Sequence, residues 1–371
     1  MLNTKNNASL IKALGADCDA IADHGAGDNS LLLPETKAKI AEITERNVKR
    51  RQIRFPKVFN QAPIAALYRT YYKRQSTKTF RFFREQLEPD KSRVVLVFNG
   101  YLAPNALLDL AAQHLGMKCL YIENGFFPKT MQADPSGINA LSTLPRDAAF
   151  YDALTAEQLG DAWPDELVTR RSKLPADNRQ TGLPEKYIFV PFQVPSDMQI
   201  LALSPWIKDM VHLYNEVLSL AAKFESRHFV IKEHPSFPLS IQGKVKRHPR
   251  IAFCNQGVTR ELIAGSDAVL TINSTVGLEA VTLGKKVITL GDAHYAIDGI
   301  TLKAKNADEL QRVFATLDEW DQNHQRCENY VRFVYNHFLL PLDRENAGEN
   351  TSRLLTGRAT KTDQYSKTSS C

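Results

Sequence analysis

"DAVLTINSTVGLEAVTLGKKVITLG" (residues 267–291) decides the fold. It opens on the apolar run DAVLTI (267–272), turns through Asn-Ser-Thr, and continues in the helical pattern STVGLEAVTLG before closing in the run KVITLG (286–291). Continuous apolar strands joined by a helix mark parallel strands buried on both faces, because an open antiparallel face would alternate with polar residues. Working outward, the same alternation includes KYIFVPF (186–192), a helix near 205–223, HFVIKEHP (228–235), RIAFC (250–254) and a helix near 258–264. A linker rich in Pro, Asp and Asn spans 163–185. Before it stand RVVLVF (93–98), the helical PNALLDLAAQHLG and KCLYIE (118–123). Helical patterns over 36–52 and 64–87 precede them, and two more, 307–318 and 322–339, could cross back to the first half.

The expected architecture is α/β, with two Rossmann-like domains and extra N-terminal helices. Residues 1–185 form the N-terminal domain, with 1–35 loosely ordered and 36–90 a basic helical region. Residues 186–330 form the second domain, and 331–371 return to the first and end in a flexible tail. Ligands of doubly wound sheets sit beyond the carboxyl ends of the strands. Polar residues gather just there: Glu123, Asp197, His234, Ser274 with Thr275, and Asp292.

The bulk numbers set the class. The 371 residues allow two cores, and 43% hydrophobic with 24% charged content is that of an ordinary soluble protein. No apolar run approaches the ~18 residues of a membrane span, and MLNTKNNASL lacks the form of a secretory signal. Five scattered cysteines without C-x-x-C suggest neither a zinc site nor a disulfide framework, so a cytoplasmic home is expected. Residues 46–84 carry twelve Lys or Arg and no acid, leaving 35 basic against 41 acidic residues elsewhere, a balance of −6. A segment such as RTYYKRQSTKTFRFFRE suits anionic lipid headgroups or a polyanionic acceptor; the bland alternative is a solvated helix face. No nucleic-acid recognition motif accompanies it, and no nucleic-acid partner is expected.

Two motifs are set aside. GLEAVTLGKK (277–286) is not a phosphate-binding P-loop: six residues separate its glycines, and Lys286 stands where Ser or Thr should bind magnesium. DCD (17–19) has no strand before it and is a poor metal site. Better candidates lie at strand ends. Asn273 and Ser274 offer capping oxygens to a helix whose N-terminus, with the Ser274 and Thr275 hydroxyls, suits a phosphate. In IKEHPS (231–236), Pro235 keeps His234 out of helical geometry, which suits a fixed imidazole beside that turn. Asp197, in FVPFQVPSDMQI after a strand with proline on both sides, and Glu123, at a strand end in the other half, could divide nucleophile and base duties at an anomeric carbon; each also reads as a solvated loop acid.

YIENGFFPKTMQADPSGINALSTLPR, EHPS and TINSTVGLEAVTLGKKVITLGDAHY together resemble the bacterial capsule-synthesis family of β-Kdo glycosyltransferases, Kdo being keto-deoxy-octulosonic acid. They also share a wider pattern with bacterial sialyltransferases: an acid before glycine, a His-Pro and a Ser-Ser/Thr pair. The resemblance covers about 93–300 and leaves the first 90 residues unexplained. It implies a GT-B fold, two Rossmann-like domains facing a central cleft, with CMP-β-Kdo as donor, a bacterial surface glycan or glycolipid as acceptor, retained configuration and neither metal nor cofactor. By the resemblance, His234 with Ser274 and Thr275 hold the CMP phosphate, Glu279 takes the ribose hydroxyls, and Lys232, Pro235 and Asn273 complete the nucleotide site. Glu123 matches the family's acid before glycine; Asn124, Gly125, Asp134, Gly137 and Asn139 match its sugar and acceptor loop, and Asp197 is the nucleophile. Glu-Asn-Gly stands where some relatives carry a second acid, which puts in doubt any role needing two adjacent carboxylates. The alternatives are a sialyl- or other CMP-nonulosonate transferase and a non-catalytic glycan- or nucleotide-binding partner in polysaccharide assembly.

Overall fold

A computed structural model of the chain describes residues 19, 21–23, 25, 27, 31–164 and 182–341. Most of 1–35, including Asp17 and Cys18 of the Asp-Cys-Asp motif, lies outside these residues, as do most of the linker and the tail beyond 341. The chain divides into two compact units, 1–145 with 337–371, and 146–336.

The first unit starts with helices α1 (Pro34–Arg54), α2 (Pro56–Phe59) and α3 (Ala62–Leu87), each with proline in its first two positions, where the missing N–H costs nothing. Ile40 and Ile43 of α1 and Phe80, Phe83 and Leu87 of α3 pack into one core with β1 (Val95–Phe98) and α4 (Asn105–His114). β2 (Cys119–Asn124) runs parallel to β1, as expected of buried apolar strands. The next strand corrects the reading of this half as a parallel sheet followed by a long loop. β3 (Thr130–Asp134) lies inside that loop and turns back antiparallel on β2, with Glu123 opposite Gln132. All five of its residues are buried, polar ones included, so it carries no period-two alternation to read.

The second unit opens with α5 (Ala148–Asp152) and α6 (Ala156–Leu159). Its strands are β4 (Ile188–Pro191), β5 (Phe229–Lys232), β6 (Ile251–Phe253), β7 (Ala268–Thr271), β8 (Lys286–Thr289) and β9 (Leu302–Lys303). Between them come α7 (Met198–Leu201), α8 (Met210–Lys223), α9 (Thr259–Ala264) and α10 (Thr275–Thr282), and α11 (Ala307–Ala315) and α12 (His324–Phe333) follow β9. The order β6-β5-β4-β7-β8-β9 is wholly parallel. Counted from β4, this is the 3-2-1-4-5-6 order of a Rossmann sheet, whose direction reverses between β4 and β7. Ile188, Val190, Phe229, Ile231, Leu270 and Ile288 form the middle of its core.

The α/β class and the Rossmann-like sheet are therefore as read, while the boundaries move. The expected break at 185/186 falls instead at 145/146, because α5 and α6 pack on α12. Phe150 and Tyr151 lie edge-on to Phe333 and Tyr330, with centroids 5.1 Å apart in both pairs. The Arg326 guanidinium donates to Asp152 at 2.8 Å, and Asn329 donates to the Tyr151 carbonyl at 2.9 Å. The chain rejoins the first unit at 337 rather than 331, through β10 (Leu340–Pro341), which pairs antiparallel with β3.

Candidate functional site

Parallel strands deliver their carboxyl ends to one edge, so the segments after β4, β5 and β7 meet at the same edge of the second sheet, with β4 and β7 flanking its reversal. Three expected site segments, around Asp197, His234 and Ser274, are brought together there. Each is pinned by a buried polar residue.

After β7, Ser274 caps α10: its Oγ accepts from the Val276 N–H at 3.2 Å, and Thr275 is exposed at the first turn. Asn273 does not share the capping expected of it. It is buried, donating to the carbonyls of Gln199 (2.8 Å) and Leu203 (3.0 Å) and accepting from Gln193 Nε2 (2.9 Å). The Asn273 N–H donates back to Gln193 Oε1 at 3.3 Å. This reciprocal pair ties the end of β7 to the end of β4 across the reversal. Sequence reasoning missed Gln193, since a glutamine after a strand carries no signal of its own. The turn is held from below by Tyr295, whose hydroxyl donates to the Ser274 carbonyl. Gly277 makes room for that ring, because an added Cβ would lie 2.2 Å from Tyr295 Oη.

After β5, the backbone N–H of Ser236 (3.2 Å) and its hydroxyl (2.9 Å) meet His234 Nδ1. Because a backbone N–H only donates, Nδ1 is the accepting nitrogen of the neutral ring and the proton sits on Nε2, the form that donates to an anion. The loop itself hangs on Glu233, another residue the sequence reading passed over. Buried Glu233 accepts from Ile241 N (2.7 Å), Ser240 Oγ (2.8 Å) and Asn255 Nδ2 (2.9 Å). Its own N–H donates to Asn255 Oδ1 at 2.9 Å. Pro235 is half-buried beside it. Lys232 is buried and donates to the Gly257 carbonyl and to Thr259 Oγ1 at 3.0 Å, so it anchors the start of α9. Burial pushes its pKa down, and the carboxylate of Glu279, buried on α10, acts against that push. Glu233→Ala is expected to release the 234–242 loop and to weaken binding of a nucleotide phosphate at least as much as His234→Ala does, although Glu233 is buried. Titration of CMP by calorimetry checks this.

Asp197 follows β4 as the exposed cap of the short helix α7, its carboxylate accepting from Gln199 N at 3.0 Å.

In the first unit, Glu123 is half-buried at the end of β2 and accepts from Asn124 N (2.9 Å), Asn124 Nδ2 (3.2 Å) and Asn99 Nδ2 (2.8 Å). Asn99 closes the parallel neighbour β1 in a left-handed conformation, φ 64°. The signal for it was available: Phe-Asn-Gly (98–100) ends one strand as Glu-Asn-Gly (123–125) ends the next. Gly125 has a local reason, since its N–H donates to Thr130 O at 2.8 Å and a Cβ there would lie 1.9 Å from Thr130 Oγ1.

Asp134, Gly137 and Asn139 hold the hairpin and its turn together. Asp134 is fully buried and accepts from Ser136 N (2.8 Å), Gly137 N (3.3 Å), Thr143 N (2.8 Å) and Thr143 Oγ1 (2.6 Å). Asn139 exchanges two bonds with Gln132, its N–H to Oε1 at 2.9 Å and its Oδ1 from Nε2 at 3.1 Å. Asp134→Ala leaves four donors without their acceptor and is expected to cost roughly 2–4 kcal/mol of stability, read by chemical denaturation. Asp134→Asn, which keeps one oxygen, should lose less.

Comparison with known proteins places the chain. A family model described as capsule polysaccharide biosynthesis protein matches residues 168–320. Protein FixF of Sinorhizobium fredii is 39% identical over 303 residues, covering 80% of this chain and 73% of that protein. The capsule polysaccharide export protein KpsS of Escherichia coli is 28% identical over 255 residues, covering 51% of this chain and 64% of that one. Among solved structures, a β-Kdo 2,7 transferase, KpsC of Thermosulfurimonas dismutans, is similar with a TM-score of 0.48 and 18% identity, over 74% of this chain and 88% of that one.

Proposed function

We propose that this chain, which belongs to the capsule polysaccharide biosynthesis protein family, is a glycosyltransferase that moves Kdo from CMP-β-Kdo to a hydroxyl of a surface-glycan or glycolipid acceptor with retention. One observation carries the reading: three polar segments meet at the carboxyl edge where a 3-2-1-4-5-6 sheet reverses, the place such sheets use for nucleotides. The His234 Nε2 proton and the backbone and hydroxyl donors of Ser274 and Thr275 serve the CMP phosphate. The same donors stabilise charge on CMP as it leaves. Glu279 is assigned to the ribose. Asp197 attacks the anomeric carbon to form a glycosyl ester as the bond to CMP breaks. The acceptor hydroxyl then displaces Asp197, giving its proton to Glu123. Asn99 and Asn124 orient Glu123 for that duty. Two inversions give net retention without a metal.

A sialic acid or another nonulosonate donor would use the same phosphate donors, so the donor is tested by offering CMP-Kdo and CMP-sialic acid in parallel. Tight CMP binding that fails in His234→Ala, with turnover of CMP-Kdo, supports the reading. Unchanged CMP affinity in His234→Ala removes that histidine from the site. Binding of CMP without release of it from either donor would favour a non-catalytic partner in assembly.

A further inference from the structure

The acid-free basic segment is absorbed neither by the nucleotide site nor by the family resemblance, and the fold gives it a shape. α1 packs along α3, and the elbow joining them, Phe55 through Asn60, contains α2, which buries none of its residues. Apolar side chains stand in solvent there: Phe55 at 48% and Val58 at 47% exposure, with Leu67 at 74% and Tyr71 at 56% one turn apart on α3. The elbow is not a loose loop. Phe55, Phe59, Tyr68 and Tyr72 form a ring-to-ring chain, with centroids 6.4, 5.0 and 5.4 Å apart, which fixes α2 against α3. Arg51 lies over Phe55 and Tyr68, at 5.7 and 6.0 Å.

Charge surrounds this apolar tip. Lys49, Arg51, Arg54 and Lys57 are exposed around it, and Lys73 and Arg74 follow Tyr71 on α3. The density is high enough that Arg50, partly buried, is held below its ordinary range by burial and then by Arg54 and Arg51. No acid lies between 46 and 84, and Arg69 and Arg46 pair with acids just outside it, Glu45 and Glu42. A protein partner would match such a surface with discrete acids, whereas an anionic bilayer offers both a negative plane for the cations and an apolar layer for the exposed rings. Among the described residues no helix is long and apolar enough to cross a membrane.

We propose that the α1–α3 elbow is a membrane-docking tip that seats Phe55 and Val58 in the interfacial layer of an anionic bilayer while the surrounding Lys and Arg engage its headgroups. This rests on the first unit alone and stands or falls apart from the transferase reading.

The test uses the full chain with sucrose-loaded vesicles of phosphatidylcholine alone or with 30% phosphatidylglycerol. Binding should require the anionic lipid and fall at least tenfold between low and high salt. Phe55→Ser/Val58→Ser should bind at least tenfold more weakly, with helical circular dichroism unchanged. Phe55→Trp should shift its fluorescence to the blue on addition of anionic vesicles and be quenched by brominated lipid. No binding to anionic vesicles overturns the proposal, as does a Phe55→Trp probe that binds without shift or quenching, which would mean charge contact without seating. Retention on heparin or RNA without vesicle binding would also overturn it and assign the surface to a soluble polyanion.

Discussion

Asp197→Asn is expected to abolish turnover, by several orders of magnitude, while leaving the fold and CMP affinity intact. The choice of asparagine separates the capping seen in the structure from the proposed nucleophilic role. Asp197 caps α7 through its bond from Gln199 N, and asparagine caps a helix about as well as aspartate. An Asp197 that only caps would therefore tolerate Asn almost without effect. A nucleophile would not, because the amide cannot form the glycosyl ester of the first inversion. Asp197→Ala is the poorer probe, since loss of the cap alone costs about 1 kcal/mol. With CMP-Kdo and no acceptor, the wild type should release a burst of CMP and carry Kdo on the peptide containing Asp197. Full activity in Asp197→Asn would end the assignment, and an adduct on Glu123 would exchange the two roles.

Glu123→Gln is expected to lose transfer by roughly 10²–10⁴-fold, the range for removing a general base. Its effect should differ in kind from that at Asp197. In the proposed mechanism the base serves the second step, so Glu123→Gln should still release CMP once and accumulate the adduct, whereas Asp197→Asn should do neither. The glutamine oxygen can still accept from Asn99, so the end of β2 should keep its shape. Loss of the burst together with transfer would place Glu123 in the first step instead.

Much of this was legible in the sequence, for physical reasons. The strands of the second unit are buried on both faces and read as unbroken apolar runs, so KYIFVPF, HFVIKEHP and DAVLTI each held a strand. Strand ends were equally clear, which put His234 and Ser274 at one sheet edge. Most of the failures turn on polar groups satisfied inside the protein rather than by solvent. β3 escaped notice because Gln132 and Asp134 are buried in it, paired with a turn that sequence shows only as loop. Asn273 looked like a cap, and it faces inward to Gln193 and two carbonyls. Glu233 and Asn99, which hold His234's loop and Glu123, went unnamed in the sequence reading. The boundary moved because α5 and α6 are too short for their partner to be read from periodicity, and α12, which covers them, is far along the chain.

The proposed chemistry is transfer of Kdo from CMP-β-Kdo with retention. The most direct measurement incubates the full-length protein with CMP-Kdo and a panel of lipid-linked and glycan acceptors, then assigns the anomeric configuration of the product by NMR. Acceptor-dependent CMP release and a β-Kdo linkage are expected, both absent in Asp197→Asn. An α-linked product would contradict the double displacement, and turnover of CMP-sialic acid with none of CMP-Kdo would contradict the donor.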